Sequence, residues 1–272
     1  MLSNFIQAIM IDFIKKYGIW IFLVLAPLLN TIITYASSKG IITGFVYTHG
    51  RFYALLLLLL CVVKIAKGTE GIKDVFKPML KWKINPTWYL FSLLFSLTIC
   101  SLALLLKSYY YNIEYFTLLK FNFPSLRNSF FLLTWAFMGE VVWVSYAIRE
   151  LSKIIKPFYA SQIVGFVWAS WWVPSVYINE GVILDLPLWP LFLNMMGAAG
   201  MCYFVYEKTK SGICVWLLQW MVNMSVLILP VSPAIGGIPT YSTYAVLYFI
   251  AMLIFMYFMS PSKKLNVVAQ KA

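Results

Sequence analysis

Charged residues are scarce in this chain. Only 11% of its 272 residues are charged, and Asp and Glu together number nine, whereas a soluble domain carries about 25% charged residues. One histidine and four cysteines leave few side chains for metal binding or nucleophilic chemistry. Because 62% of the residues are hydrophobic, the composition excludes an ordinary soluble domain and predicts an integral membrane protein.

The cysteines show no pairing pattern. They are Cys61, Cys100, Cys202 and Cys214, and each falls within an apolar run. Their spacing contains no Cys-x-x-Cys, so it predicts neither a disulfide framework nor a thiolate metal site. We expect all four to be small residues of the core.

Long apolar runs make up much of the chain and predict its helices. Each is about the 20 residues that a helix needs to cross a bilayer, and the runs are continuous rather than alternating, which favours helices over a barrel. No linker separates soluble domains, so we predict an all-α polytopic helical bundle forming one membrane domain, 1–272. The eight predicted spans are 18–36, 45–63, 87–106, 129–148, 159–178, 187–206, 211–230 and 242–260.

The basic residues are distributed unevenly between alternate loops. Sixteen of the 21 Lys and Arg fall on the side of the two termini, and five fall on the other side. The positive-inside rule therefore predicts that both termini are cytoplasmic. The net charge of +12 is then a collar facing anionic lipid headgroups, and no nucleic-acid partner is expected. A basic set of 18 Lys and three Arg is consistent with a bacterial plasma (inner) membrane.

One acidic residue, Glu140, lies deep inside an apolar segment. A carboxylate at that depth costs about 2.5–3.5 kcal/mol on insertion scales, so such a residue indicates a functional site. The half of the chain that contains it, 129–230, also holds most of the tryptophans. It holds the polar residues of the span interiors as well, namely Glu140, Ser170, Asn194, Gln219 and Asn223.

Residue spacing in this half pairs side chains on helix faces. Gln219 and Asn223 are four residues apart, as are Trp168 and Trp172, and such pairs share one face of a helix. Spacing alone leaves two interpretations open. The faces are either interhelical packing surfaces around a satisfied polar cluster, or the walls of a site.

Three motifs in this half resemble the CPBP family of intramembrane proteases, the CAAX prenyl endopeptidase and bacteriocin-processing group. The family's first motif, Glu-Glu-x-x-Trp-Arg-Gly-Tyr, corresponds to Gly139–Tyr146. Its second, Trp-Ala-x-Trp-His-x-Pro, corresponds to Trp168–Pro174. Its third, His-x-x-x-Asn, corresponds to Gln219–Asn223. The resemblance covers roughly 129–230 and implies the core region of such a protease.

The departures from the family pattern affect its catalytic centre. The first glutamate and the two histidines, which the resemblance implies as catalytic, are here Gly139, Trp172 and Gln219, and only Glu140 and Asn223 are kept. A catalytic zinc normally needs three protein ligands from His, Glu, Asp or Cys. Zinc is expected in active family members, but these residues predict no metal and no cofactor here. The single histidine, His49, lies outside the motifs and cannot replace two missing histidines.

We therefore predict a catalytically inactive protein that serves as a binding or regulatory partner of membrane proteins or hydrophobic peptides, for example in bacteriocin immunity. Glu140 would be protonated, or hydrogen-bonded to Asn223 or Gln219, and Trp172 would help to fill the former catalytic cavity. The side chains expected to line this binding cavity are Trp143, Tyr146, Trp168 and Trp171.

Two alternatives remain at this point. The first is an active endopeptidase that cuts peptides or prenylated tails near the membrane. It includes a metal-free version in which Glu140 is the general base and Gln219 and Asn223 stabilise the oxyanion. The second is a small transporter that carries a proton on Glu140. Against the transporter, the sequence shows no internal repeat and no second intramembrane acid.

Overall fold

Every regular element in the described chain is a helix. The computed structural model describes residues 2–178 and 186–259, and side chains within 11–178 and 186–258. The longer helices are α1 (Leu2–Ser38), α2 (Gly44–Phe76), α3 (Pro86–Tyr111), α5 (Leu126–Gly139), α7 (Pro157–Tyr177), α8 (Leu188–Thr209), α9 (Gly212–Ile228) and α11 (Ile238–Met259). Short helices are α4 (Tyr115–Leu118), α6 (Arg149–Leu151) and α10 (Pro233–Gly236), with a 3₁₀ turn at Lys77–Leu80 and a π-helix at Glu140–Ile148.

Seven stretches of the described chain are long and apolar enough to cross a membrane, which makes this a multi-pass membrane protein. They confirm the predicted all-α polytopic bundle. The fifth of the eight predicted spans, 159–178, corresponds to α7, which is not among the seven. Its 21 residues include three Trp, three Ser and Gln162, which lower its hydropathy. It packs instead against α1, α8 and the π-helix.

The orientation of the termini stays a prediction. Three lysines that enter the Lys and Arg count, Lys263, Lys264 and Lys271, lie outside the described residues, as does most of the predicted loop between α7 and α8. The assignment of the membrane to a bacterial plasma membrane also stays a prediction.

Local sequence signals account for many helix ends. Asn85, Ser125 and Ser211 cap the first turns of α3, α5 and α9, each accepting a hydrogen bond from a backbone N–H two or three residues further on. Short polar side chains at this position satisfy amide groups that the helix leaves without partners. Inside α2, Gly68 adopts a positive φ of 67° and bends the helix, a conformation that glycine adopts without a steric penalty.

Small residues in α8 allow α11 to approach closely, as the Gly197–Gly200 run predicts. A β-carbon on Gly200 would lie 2.5 Å from Cγ of Met252, and one on Gly197 would lie 3.1 Å from the ring of Tyr248. These contacts are packing between spans. Of the cysteines, Cys100, Cys202 and Cys214 are buried as predicted. Cys61 is exposed on the surface of α2, so its assignment to the core is wrong.

Candidate functional site

The π-helix determines which side chain faces Glu140. In an α-helix, a residue five positions further on is rotated by about 140° around the axis. The i→i+5 pattern of a π-helix brings residue i+5 under residue i instead. Here the hydroxyl of Ser145 donates a hydrogen bond of 2.6 Å to Oε1 of Glu140. All nine residues of the segment are buried, so this pair lies inside the bundle.

The Glu140 carboxyl group is fully buried and only partly satisfied. Its second oxygen, Oε2, has no hydrogen-bond partner in the described part of the chain. The start of α9 comes close to the first oxygen, because a β-carbon on Gly212 would lie 3.1 Å from Oε1. Gly212 is therefore a residue of the site that sequence reasoning did not assign. Its position directly after the Ser211 cap is the signal that could have indicated it.

Of the two options predicted for Glu140, the hydrogen bond to Asn223 or Gln219 is not formed, and the protonated state stays a prediction. Nδ2 of Asn223 donates to the backbone carbonyl of Gln219 at 3.1 Å, and Asn223 is exposed. Gln219 is 2% exposed, and its Nε2 has no hydrogen-bond partner among the described residues. The physical reason is the π-helix, which places a hydroxyl of the same segment nearer to the carboxyl group than either amide of α9.

Gly139 and Gln219 fit one another. A β-carbon on Gly139 would lie 2.7 Å from Oε1 of Gln219, closer than β-carbons ordinarily approach another heavy atom. The amide of Gln219 thus occupies space that a side chain at position 139 would need. Two of the positions that the family pattern assigns to its catalytic centre are therefore adjacent, and here they hold residues that pack together.

Trp172, the residue in place of the second-motif histidine, belongs to an aromatic cluster around a buried arginine. The guanidinium carbon of Arg51 lies 4.4 Å from the Trp172 ring centroid and 5.0 Å from that of Trp171. Arg51 is 2% exposed and donates to the hydroxyls of Tyr47, at 3.0 Å, and Ser175, at 2.6 Å. Cations over indole faces are stabilised electrostatically, and more strongly when desolvated.

Sequence reasoning missed the role of Arg51, which it counted only as a basic residue of the outer loops. The available signal was its position inside the apolar run 45–63, because a basic residue within a span needs partners in the bundle. Helix α1 also contacts the Arg51 cluster, because Nδ2 of Asn30 donates to the carbonyl of Trp171 at 2.5 Å.

The four predicted cavity residues lie in the packed core. Trp143 and Trp171 are each 1% exposed, Tyr146 is 3% exposed and Trp168 is 9% exposed. Trp143 stacks on Trp168 with 6.0 Å between ring centroids, and Phe22 of α1 meets both Trp143 and Tyr146. The structure brings these rings together, but that they surround a ligand stays a prediction.

The residues at the motif positions do not fit a zinc site. Gly139 offers no side chain, Trp172 faces Arg51, and the amide of Gln219 is a poor substitute for an imidazole ligand. Within the part of the chain that the structure describes, no three His, Cys, Asp or Glu side chains are grouped so as to hold a metal ion. His49 packs among Phe45, Phe131 and Trp135, with ring centroids 4.3–5.3 Å apart. The absence of zinc stays a prediction.

Comparison with known proteins supports the resemblance that the motifs indicate. Residues 122–225 match the family model described as type II CAAX prenyl endopeptidase Rce1-like. The match includes Gly139, Glu140, Trp172, Gln219 and Asn223. No curated protein matches the chain.

Proposed function

We propose, from the match of residues 122–225 to the Rce1-like CAAX prenyl endopeptidases, that this membrane protein has a protease-like core and does not hydrolyse peptides. It instead binds a membrane protein or a hydrophobic peptide. A regulatory or bacteriocin-immunity role would use such binding. A bacterial plasma membrane with both termini in the cytoplasm is part of the proposal.

The observation that carries the proposal is that three of the replaced positions, Gly139, Trp172 and Ser145, each have a partner matched to the new residue. Gly139 leaves room for the amide of Gln219, and Trp172 lies against the guanidinium of Arg51. Ser145, where the family motif has glycine, holds the remaining acid Glu140. A centre that had only lost its catalytic side chains would contain voids, whereas these positions are filled by packed residues.

Hydrolysis would need a group that activates water. Glu140 is fully buried and its Oε1 already accepts from Ser145. A general base must reach the proton that it removes, directly or through one water. The second acid–base group that would protonate a leaving amine has no counterpart at positions 139, 172 or 219. These residues therefore support binding better than catalysis.

The proposed client contacts the accessible edge of the motif region. Asn223 is exposed and Trp172 is half-buried, and Asn223 lies in the stretch Gly212–Gly236, which is long and apolar enough to cross a membrane. A hydrophobic client suits this environment, since side chains at helix surfaces in a membrane meet apolar partners.

Cleavage and binding assays on the purified protein in lipid nanodiscs test the proposal. A fluorescently labelled prenylated peptide and an unprenylated hydrophobic peptide are offered to wild type, Glu140→Gln and Asn223→Ala. We expect no cleavage above the Glu140→Gln background. We also expect weaker peptide binding in Asn223→Ala, and unchanged binding in the matched exposed-amide control Asn122→Ala. Cleavage that is lost in Glu140→Gln, in Asn223→Ala and after chelation would establish the alternative, an active endopeptidase.

A further inference from the structure

A cleft of about 580 Å³ lies at one end of the bundle, and none of its lining residues belongs to the three protease-like motifs. It opens between the last turns of α3 and the first turns of α11. Its polar lining consists of Lys107, Tyr109, Tyr110, Tyr111, Thr240 and Thr243. Within the described parts of the chain, no Asp or Glu lines the cleft, and its described lining carries one positive charge and several hydroxyl groups.

Among the described residues, Lys107 is held in place inside this cleft by a backbone carbonyl and by no carboxylate. Its Nζ donates to the carbonyl of Gly236 at 3.1 Å, and the hydroxyl of Thr240 donates to the same carbonyl at 2.6 Å. An ammonium group has three donors, so two remain for other acceptors. The ion pairs among the described side chains involve other basic residues.

The position of the cleft relative to the spans limits what can occupy it. α3 crosses as Pro86–Tyr111 and the final span begins at Ile238, so the lining residues lie where spans end and lipid headgroups begin. Tyrosine is enriched at this depth in membrane proteins. The three consecutive tyrosines are 85%, 78% and 53% exposed, and their hydroxyl groups add hydrogen-bond donors to the charge of Lys107.

We propose that this cleft binds an anionic phospholipid, with the phosphate on Nζ of Lys107 and on tyrosine hydroxyls. The glycerol and the start of an acyl chain lie against the apolar Leu106 and Pro239, which also line the cleft. Charge complementarity supports an anion, and the location at the end of two spans favours a lipid over a soluble ligand. The site is independent of the proposed peptide binding.

Native mass spectrometry of the purified protein tests this site with phosphatidylglycerol and phosphatidylcholine of identical acyl chains. We expect wild type to bind one phosphatidylglycerol more tightly than phosphatidylcholine. Lys107→Gln should lower the phosphatidylglycerol affinity by about five- to tenfold, and Lys107→Arg should retain it because the charge and donors remain. Lys120→Gln removes an exposed lysine that does not line the cleft, and it should leave the affinity unchanged.

Three results would overturn the proposal. Equal losses in Lys107→Gln and Lys120→Gln would mean that only general surface charge attracts the lipid. Equal binding of the two lipids, insensitive to position 107, would show an apolar groove with no headgroup site. Displacement of phosphatidylglycerol by inorganic phosphate at the same concentration would identify a site for free anions. A thermal unfolding curve for each variant separates loss of binding from loss of folding.

Discussion

At the scale of single residues, Glu140 depends on one hydroxyl group. Ser145 lies at 0% exposure beside it and donates to Oε1. Removing a donor from a buried charged or polar group leaves that group desolvated and unpaired, at a cost of about 1–3 kcal/mol. We predict that Ser145→Ala lowers the free energy of unfolding by this amount, measured by denaturant titration in detergent micelles.

The control for Ser145→Ala is Ser170→Ala. The Ser170 hydroxyl donates to the carbonyl of Phe166 in its own helix, and its loss should change the free energy of unfolding by less than about 0.5 kcal/mol. In a Glu140→Ala background, Ser145→Ala should lower the free energy of unfolding much less than in the wild type, because the hydrogen-bonded pair is already broken. Equal costs with and without Glu140 would show that the two side chains do not interact.

A second residue-scale prediction concerns Gly139 and Gln219. Gly139→Ala should destabilise the wild type, because the new β-carbon would lie 2.7 Å from Oε1 of Gln219. Overpacking of this kind typically costs about 1–3 kcal/mol. In a Gln219→Ala background the same substitution should instead stabilise the protein by up to about 1 kcal/mol, since alanine favours helix over glycine. Thermal unfolding of the four variants measures this change of sign, and its absence would contradict the packing that we describe.

Sequence could identify these residues but not their partners. The burial of Glu140 follows from the apolar segment around it. Its pairing with Ser145 does not, because the α-helical spacing of three or four residues points to other positions. The position of Arg51 inside the apolar run 45–63 indicates that it needs partners in the bundle, but the sequence does not show that these are Tyr47, Ser175 and the ring of Trp172. In both cases the deciding contact depends on backbone geometry or on a distant helix.

At the scale of elements, ion pairs hold the C-terminal end of the π-helix in place. Glu150 in α6 pairs with Lys67 at 2.6 Å and with Lys153 at 2.8 Å, and its side chain is 13% exposed. Arg149 pairs with Asp74 in the same region. Lys67 directly precedes the Gly68 bend of α2, so the ion pairs join the bend to the end of the π-helix.

Glu150→Gln should loosen this connection. We expect the free energy of unfolding to fall by about 1–2 kcal/mol, which lies between the values for exposed and for buried ion pairs. Amide hydrogen exchange should accelerate within 140–151. Glu70→Gln is the control, because Glu70 pairs with Lys73 on its own helix and its side chain is 81% exposed. Similar exchange in both variants would mean that the ion pairs of Glu150 do not hold the π-helix.

The positions of most helices could be predicted because a bilayer imposes a length and an apolar composition on each span. One feature could not. The π-helix has the same apolar composition as the α-helix that it interrupts, so hydropathy does not distinguish them. The span predicted over 159–178 corresponds to α7, but α7 is not among the seven stretches apolar enough to cross a membrane, and its Trp, Ser and Gln residues suit contacts with neighbouring helices as well as with lipid.

At the scale of the whole molecule, the family match and the residues at the motif positions indicate different functions. Residues 122–225 match an endopeptidase family, yet within that region Gly139, Trp172 and Gln219 stand at the positions that the motifs assign to catalysis. A match to a family does not by itself imply the family's activity, which has to be argued from the residues at the site. Motif spacing indicated the family and the altered positions. Only the structure shows that Gly139 and Trp172 have neighbours suited to them, because those neighbours come from other helices.

The zinc content of the purified wild-type protein tests this account most directly. Measured by inductively coupled plasma mass spectrometry after exchange into metal-free buffer, it should be well below one zinc per chain and unchanged in Glu140→Gln, because these positions offer too few ligands. About one zinc per wild-type chain, lost in Glu140→Gln, would contradict the account and show that the protease-like core holds a metal centre.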